Sequence, residues 1–122
     1  MAQSPITLVL GASENPARYS NKAAEMLLHY GHQVWLTGRR IGRQAGTPIY
    51  THFPEQGTVD TVTLYVGPAH QSEIMEEVEK LKPRRIIFNP GTENPEWQRS
   101  LTKKGIAVEV ACTLVLLSTG QY

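Results

Sequence analysis

Short apolar runs alternate along this chain with stretches of helical periodicity, and this alternation restricts the possible folds more than any other feature of the sequence. The run ITLVL at Ile6–Leu10 is almost uninterruptedly apolar, which is typical of a strand buried on both faces of a parallel sheet. Apolar residues then recur at helical spacing through residues 20–30, and Gly31 is a typical helix stop. A second strand is predicted at Gln33–Thr37.

The same alternation continues to the end of the chain. Further strands are predicted at residues 60–66, 85–89 and 107–111, and a short strand at residues 48–50 would raise the total from five to six. Helices are predicted over residues 74–81, from the cap at Asn94 to the stop at Gly105, and as one or two turns at residues 114–117. This order predicts an α/β fold: a doubly wound, Rossmann-like, mostly parallel sheet with helices on both faces. Residues 1–122 are predicted to form a single domain.

The composition excludes several classes of function. Lys and Arg number 12 against 11 Asp and Glu, a formal net charge of +1, which is too balanced for a broad surface that binds nucleic acid or membrane. The short apolar run near the N-terminus has no basic region before it, and no run reaches the length of a membrane span, so neither a signal peptide nor a membrane helix is predicted. The single cysteine, Cys112, cannot form an internal disulfide, which predicts a reducing, cytoplasmic location.

Ligands of doubly wound sheets bind outside the carboxyl ends of the strands, where the strand order reverses. Four segments immediately follow predicted strands, and they are the candidates for a binding site: residues 11–20, 37–43, 66–70 and 89–94.

The first segment, GASENPARYS, joins a tight turn to a helix N-terminus. Gly11 permits the turn, and Ala12 and Ser13 are small enough for a ligand to approach the backbone. The helix beginning near Ser20 offers free amides and the positive end of its dipole, which favour an anion such as a pyrophosphate. Arg18 adds a bidentate donor. The alternative is an ordinary strand-to-helix loop in which a polar residue at position 20 or 21 caps the helix.

The second segment, TGRRIGR, carries three arginines directly after a strand. Thr37 ends that strand, and Arg39, Arg40 and Arg43 follow. In dinucleotide-binding folds this position faces the ribose of the adenosine half, where an acidic residue favours an unphosphorylated ribose and arginines favour a ribose phosphate. The segment therefore predicts a ligand with a phosphorylated adenosine, with a solvated basic loop as the alternative.

The third segment, YVGPAH, ends a strand with a glycine-proline pair. A simple turn at Gly67 and Pro68 is expected in any case. Tyr65 and Val66 could in addition flank an adenine or a pantetheine arm.

The fourth segment, FNPGTEN, contains a stiff turn before a capped helix. Asn89, Pro90 and Gly91 form this turn, whose amides could face the same crevice. Glu93 would be an unusual neighbour for a phosphate and is expected to tether the loop.

Catalysis and metal binding have little support in the sequence. Cys112 at a strand end is expected to be a small core residue, although a thiol that meets a ligand thiol is the alternative. The four histidines lack partners at the spacing of a metal site or of a catalytic triad. The sequence therefore predicts binding rather than an enzyme, with no catalytic residue and no metal.

The stretch from Leu8 to Arg40 resembles short-chain dehydrogenases through its GAS turn and its LTGRR segment, which would imply NADP. Three features depart from that family. Glu14, Asn15 and Pro16 replace the glycines expected after GAS, no Tyr-x-x-x-Lys pair occurs, and the chain has about half the necessary length. An NADP-binding, reductase-like domain is therefore kept only as the enzyme alternative.

Over nearly its whole length the chain is similar to the single-domain CoA-binding protein family, which is related to the CoA-binding domain of the succinyl-CoA synthetase α-subunit. The motifs that carry the resemblance are GASENPARYSNKAA, DTVTLYVGPA and IIFNPGTEN, in this order. A cysteine near the end, here Cys112, also fits the family pattern.

This resemblance implies a role for each of the four segments. The first would cradle the CoA diphosphate with Gly11, Ala12, Ser13, Arg18 and Ser20. After the second strand the family commonly has Val-Asn-Pro-Lys, whereas this chain has Thr37, Gly38, Arg39 and Arg40, so that Arg40 takes the place of the lysine near the adenosine phosphate. The pantetheine would run past residues 66–69 and 89–91.

The function implied is the binding of CoA or acyl-CoA without catalysis, because the phosphorylated histidine of the synthetase lies in a further domain. A ligand-free regulatory or scaffold subunit is the remaining alternative. The expected partner is a small-molecule nucleotide cofactor rather than nucleic acid or membrane. Exposed sheet edges are also compatible with a homodimer.

Overall fold

The computed structural model describes residues 5–122. Residues 1–4 lie outside the described residues. The N-terminal segment that was predicted not to be a signal peptide begins with them. The strands are β1 (Ile6–Leu10), β2 (Gln33–Thr37), β3 (Gly42–Gln44), β4 (Thr47–Tyr50), β5 (Val59–Leu64), β6 (Arg85–Phe88) and β7 (Ala107–Val110). The helices are α1 (Tyr19–His29), α2 (Pro68–Gln71), α3 (Met75–Leu81), α4 (Pro95–Lys103) and α5 (Thr113–Ser118).

The strands form one sheet in the order β3-β4-β2-β1-β5-β6-β7. β1 pairs in parallel with both β2 and β5, and every other neighbouring pair is parallel except β3 with β4. The chain runs outward from β1 on one side and returns to build β5 to β7 on the other, so the winding reverses between β1 and β5. This arrangement confirms the predicted doubly wound α/β fold, with seven strands rather than five to six.

Helices cover both faces of the sheet, which explains why β1 is apolar at successive positions. Side chains of a strand alternate between the two faces. Val9 packs with Leu27 of α1 and Leu117 of α5 in one core, and Leu8 packs with Leu101 of α4 in the other. Leu8 and Val9 are both 0% exposed, so each face of the central strand is completely removed from water.

The β3–β4 hairpin is the main element that the sequence pattern does not reveal. β3 consists of Gly42, Arg43 and Gln44, which lack the apolar alternation of a strand. Its turn places Ala45 at φ 48° and Gly46 at φ 80°, as in the turns that match the twist of a two-residue hairpin. Alanine is an unusual residue at such a position, and for that reason the turn carries no recognisable sequence signal.

A buried arginine links four strands at the amino end of the sheet. Arg85 is 5% exposed, and its Nε donates to Thr61 Oγ1 at 3.0 Å while its Nη1 donates to Glu109 Oε1 at 2.9 Å. Its guanidinium lies 4.5 Å from the ring centroid of Tyr122, whose hydroxyl is hydrogen-bonded to Thr7 Oγ1 at 2.6 Å. The charge is thus both paired and hydrogen-bonded, as a buried cation requires.

Two glycines allow the loops at the carboxyl end of the sheet to approach one another closely. A Cβ on Gly38 would lie 2.3 Å from the carbonyl oxygen of Ala12, and one on Gly11 would lie 2.8 Å from that of Tyr65. Gly11 also has φ +99°, which L side chains rarely adopt. Since both contacts are with backbone atoms, no side-chain rotation can relieve them.

Gly38→Ala should therefore lower the free energy of unfolding by roughly 1–3 kcal/mol, the usual cost of overpacking. Gly67→Ala is the matched control, because Gly67 has φ −66° and nothing lies within 4 Å of its added Cβ. The control should stay within ~1 kcal/mol of the wild type. Urea denaturation of both variants measures the difference, and equal stabilities would contradict the close approach at Gly38.

Candidate functional site

The four segments that follow β1, β2, β5 and β6 lie side by side at the carboxyl end of the sheet, and contacts join each to a neighbour. We call this region, residues 11–18, 37–41, 65–73 and 89–94, the carboxyl-end crevice. It lies where the winding reverses between β1 and β5, which is the position at which open α/β sheets bind ligands. The structure thus brings together all four segments that were selected from the sequence.

The first loop is held in place by its own backbone and by the end of β2. The amides of Gly11 and Ala12 both donate to the carbonyl oxygen of Thr37, at 2.9 and 3.0 Å. Ser13 Oγ accepts from the amide of Asn15 at 3.1 Å, and Asn21 Nδ2 donates to the Ser13 carbonyl at 2.8 Å. The amides of Gly11 and Ala12 are therefore committed to shaping the loop.

Helix α1 begins behind this loop with a terminus suited to an anion. Arg18 is the N-cap residue and makes no side-chain capping bond, and the first turn contains no acidic residue. The helix starts at Tyr19, so Ser20 lies inside its first turn and is 3% exposed. Arg18 is exposed and makes no ion pair within residues 5–122. Its positive charge and the positive helix end thus face solvent together.

A tether that sequence reasoning missed fastens this loop to the β3–β4 hairpin. Glu14 Oε2 accepts from the backbone amide of Arg43 at 3.0 Å. Gly42 makes room for that side chain, since a Cβ there would lie 2.5 Å from Glu14 Cδ. Gln44 is buried, and its Nε2 donates to the carbonyl of Asn21 in α1. Only the fold brings Glu14 to a strand that begins 28 residues later, so no local pattern could have indicated the contact.

The arginines after β2 lie at the surface of the crevice. Thr37 is 4% exposed, and its hydroxyl donates to the carbonyl of His52 at 2.9 Å, so its side chain is used internally. Arg39 and Arg40 are exposed. Arg39 Nη2 lies 3.6 Å from Glu73 Oε2, just beyond α2, which links the second segment to the third.

Gln71 connects the third and fourth segments from inside the protein. It is 0% exposed, and its Nε2 donates to the carbonyls of Val66 at 2.9 Å and Thr92 at 2.7 Å. Its Oε1 accepts from Asn94 Nδ2 at 2.8 Å. Pro68 begins the short helix α2 that carries Gln71 and is itself exposed at the rim.

Asn89 performs a similar role below the fourth segment. It is 1% exposed, its Nδ2 donates to Thr63 Oγ1 at 2.8 Å and to the Leu64 carbonyl at 2.9 Å, and its Oδ1 accepts from the amide of Thr113 at 2.8 Å. The side chain therefore holds the turn from within. Pro90 and Gly91, which follow, are exposed at the rim.

The loop after Asn89 is fixed by a carboxylate. Glu93 Oε1 accepts from the amide of Gly91 at 2.8 Å, which confirms the expectation that Glu93 tethers the loop. The Gly91 amide is consequently occupied in this structure.

Tyr65 is partly buried and packs against the core shared by α1 and α5. Its hydroxyl is buried and makes no hydrogen bond within the described residues, although Thr63 and Thr113 lie close by. Loss of solvation upon burial raises the pKa of this hydroxyl to about 12. The backbone of Tyr65, rather than its side chain, lies beside Gly11 at the crevice.

Other candidate sites contribute little to this region. Cys112 is half-buried and is the residue that precedes α5. Residues 5–122 contain no group of three or more His, Cys, Asp or Glu side chains arranged to hold a metal, and none of their helices is long and apolar enough to cross a membrane. A groove of about 650 Å³ lies apart from the crevice, and two of the three lysines that line it, Lys80 and Lys104, are paired with Glu76 and Glu79.

Comparison with known proteins places the chain among structures of the same fold. A family model described as CoA binding domain matches residues 6–118. A crystal structure of a protein called uncharacterized is 42% identical, with a TM-score of 0.93, over 99% of this chain and 100% of that chain. No curated protein matches the sequence.

Two more distant structures share the fold. A Thermus thermophilus protein is 23% identical, with a TM-score of 0.85, over 98% of this chain and 91% of that chain. The dinucleotide-forming acetyl-coenzyme A synthetase 1 of Ca. Korarchaeum cryptofilum, solved with phosphate and ADP, is 20% identical with a TM-score of 0.68. That match covers 84% of this chain but 25% of the synthetase.

Tyr65 and Tyr122, which are both partly buried, provide a test of the hydrogen bonding described above. Tyr65→Phe removes a hydroxyl without a partner and should leave the free energy of unfolding unchanged or slightly higher. Tyr122→Phe, the matched control, removes the 2.6 Å bond to Thr7 and should lower it by about 1 kcal/mol. Chemical denaturation at neutral pH measures both, and a larger loss for Tyr65→Phe would contradict the assignment.

The pH dependence of the free energy of unfolding of the same variants provides a second test. The pKa of Tyr65 is raised from 10.0 to about 12, so the unfolded chain loses this proton first as the pH rises. The free energy of unfolding should therefore fall as the pH rises from about 10 towards about 12. This fall should be smaller in Tyr65→Phe than in the wild type.

Proposed function

The chain belongs to the CoA-binding domain family, and from this premise we propose that it binds CoA or acyl-CoA in the carboxyl-end crevice without catalysing a reaction. The observation that carries the proposal is the N-terminus of α1, where an unpaired arginine and an uncapped helix end without acidic residues stand at the winding reversal. The family match supports CoA as the ligand. The cytoplasmic location stays a prediction from the single Cys112.

The diphosphate of the ligand would occupy the space in front of α1. Two negative groups at this position would interact with the dipole and first-turn amides of the helix and with the guanidinium of Arg18. The amides of Gly11 and Ala12 already donate to Thr37, so these residues would act by holding the loop open. Ser13 lies at the near side of the loop, and Ser20 is buried in the first helical turn.

The adenosine phosphate would lie beside Arg39 and Arg40. Arg40 makes no ion pair within residues 5–122 and is free to contact a phosphate. Arg39 is within 3.6 Å of Glu73, a pair with both side chains largely exposed and hence of low energy. An incoming phosphate would compete with Glu73 for Arg39, and a small rearrangement of the two side chains would accommodate it.

The pantetheine arm would cross the crevice between the third and fourth segments. Val66, Pro68, Pro90 and Gly91 present backbone and apolar atoms along this path, whereas Tyr65 and Asn89 support it from within. This lining would bind the arm, and we propose no catalytic step along it.

If Arg18 contacts the diphosphate, Arg18→Ala should weaken CoA binding by ~1.5–3 kcal/mol, or roughly 10- to 150-fold. Isothermal titration calorimetry gives the dissociation constants. Lys103→Ala is the matched control, since it removes an exposed cation from the end of α4 that is remote from the crevice, and it should leave affinity unchanged. Equal affinity of Arg18→Ala and wild type would remove Arg18 from the site.

The arginines after β2 are tested by comparing ligands. Thermal unfolding with CoA, dephospho-CoA, NADPH and NADH should show the largest stabilisation with CoA, about 2.7 kcal/mol at ~100 times the dissociation constant. The double variant Arg39→Ala, Arg40→Ala should respond equally to CoA and dephospho-CoA, because it lacks the cations that contact the additional phosphate.

Each other outcome of this comparison has a definite meaning. Stabilisation by NADPH alone would replace the proposal with an NADP-binding domain. No stabilisation by any of the four ligands would reject nucleotide binding and favour a scaffold function. Retained discrimination against dephospho-CoA in the double variant would reject the role of Arg39 and Arg40 while leaving CoA binding in place.

A further inference from the structure

Strand β7 forms one edge of the sheet that residues 5–122 build, and its outer backbone groups are unpaired within that sheet. The amide of Ala107 donates to the carbonyl of Arg84, the residue before β6, at 3.1 Å. The amide of Ala111 donates to the carbonyl of Phe88 in β6 at 3.2 Å. Backbone groups of alternate residues in a strand point to opposite sides. The N–H and C=O groups of Val108 and Val110 therefore point away from the sheet, where another strand could accept and donate.

The side chains of β7 do not protect this edge. Val110 is 57% exposed and Val108 is half-buried, and both lie on the face covered by α4. The one charged residue of the strand, Glu109, lies on the other face and is held at 2.9 Å by the buried Arg85. Proteins normally guard an open edge with an outward charge, a proline or a bulge, and β7 has none of these. The opposite edge differs, since β3 is three residues long and carries the exposed Arg43.

A groove of about 600 Å³ beside this edge continues onto the surface of α4. Val108 and Val110 line it on the strand side, and Arg99 and Lys103 line it on the helix side. Glu96 lies on the same stripe of α4 as these two cations, because residues three and seven positions apart share a helix face. The stripe is acidic at its beginning and basic at its end.

We propose that β7 pairs with β7 of a second copy of this chain, antiparallel and about a two-fold axis at Glu109. The segment Val108-Glu109-Val110 reads the same in both directions, as an isologous contact between identical strands favours. Val108 then lies opposite Val110 of the second copy, and each of the two such pairs exchanges both outward N–H···O=C bonds. The valine side chains of the two copies pack against each other on the α4 face.

The charges are also self-complementary in this arrangement. The two α4 helices run antiparallel across the axis, which places Glu96 of each near Lys103 of the other. The two Glu109 side chains lie opposite each other on the other face, a like-charge pair that is unfavourable by itself and that the Arg85 of each copy offsets. The pairing removes the open edge without burying an unpaired charge, and a second copy fits it better than an unrelated strand without this symmetry.

Sedimentation velocity at increasing protein concentration tests the assembly. The wild type should shift from monomer towards dimer, and Val110→Lys should weaken dimerisation roughly tenfold or more, since one Val110 lies in each of the two pairs. Tyr30→Lys is the matched control: Tyr30 is 52% exposed, follows α1 on the far half of the sheet, and its change should leave dimerisation as in the wild type. Circular dichroism confirms that the variants are folded.

Amide hydrogen exchange read by NMR tests the strand register. Dimerisation should protect the amides of Val108 and Val110 and leave those of Ala107 and Ala111 unchanged, because the latter are already bonded within the copy. A wild type that is monomeric at every concentration overturns the proposal and leaves the edge to a different partner. A dimer that is insensitive to Val110→Lys, or that protects neither valine amide, also overturns it. None of these results depends on CoA, so this proposal and the one above fail separately.

Discussion

The carbonyl oxygen of Thr37 accepts hydrogen bonds from the amides of both Gly11 and Ala12, and the shape of the crevice depends on this contact. It ties the loop after the central strand to the end of the neighbouring strand. The contact is possible only because Gly38 lacks a side chain where Ala12 passes. The same loop then delivers Arg18 to the start of α1. A backbone constraint of this kind positions the charged residues without itself contacting a ligand.

The polar side chains around the crevice fall into two groups: buried side chains that hold the loops in place, and side chains that are exposed to solvent. Gln71 and Asn89 are buried and fully engaged with neighbouring loops, as most polar groups removed from water are. Arg18 and Arg40 are exposed and make no ion pair within residues 5–122. Since satisfied buried amides rigidify the loops, the exposed guanidinium groups are presented on a stable frame, which lowers the ordering cost of binding an anion.

The two edges of the sheet differ in how well they are protected from pairing with a strand of another molecule. At one edge the β3–β4 hairpin is short, and Glu14 fastens it to the loop between β1 and α1. At the other edge β7 presents valines and free backbone groups, with its carboxylate turned inward to Arg85. An edge of this kind is unfavourable in an isolated molecule and becomes favourable once another strand covers it. The protected edge is tied to the crevice through Glu14, whereas β7 forms the opposite edge of the sheet.

The sequence alone determined the α/β class, the sheet's central strands and the four segments of the crevice. Buried parallel strands require continuous apolar runs, and Gly31, Asn94 and Gly105 mark helix ends by local chemistry. These signals involve neighbouring residues, so they can be read without the fold. The strand at Gly42–Gln44 carries no such signal and was missed.

Only the tertiary structure decided which side chains of those segments are exposed at the crevice and which face the protein interior. Asn89 and Tyr65 were selected beside Arg18 and Arg40, yet Asn89 bonds to Thr63 and Thr113 and the Tyr65 ring enters the core. All four residues lie in segments that follow strands, and neither residue type nor place in the sequence shows which way each side chain points. The direction of a side chain at a strand end depends on contacts with residues distant in sequence, and these contacts exist only once the sheet has formed.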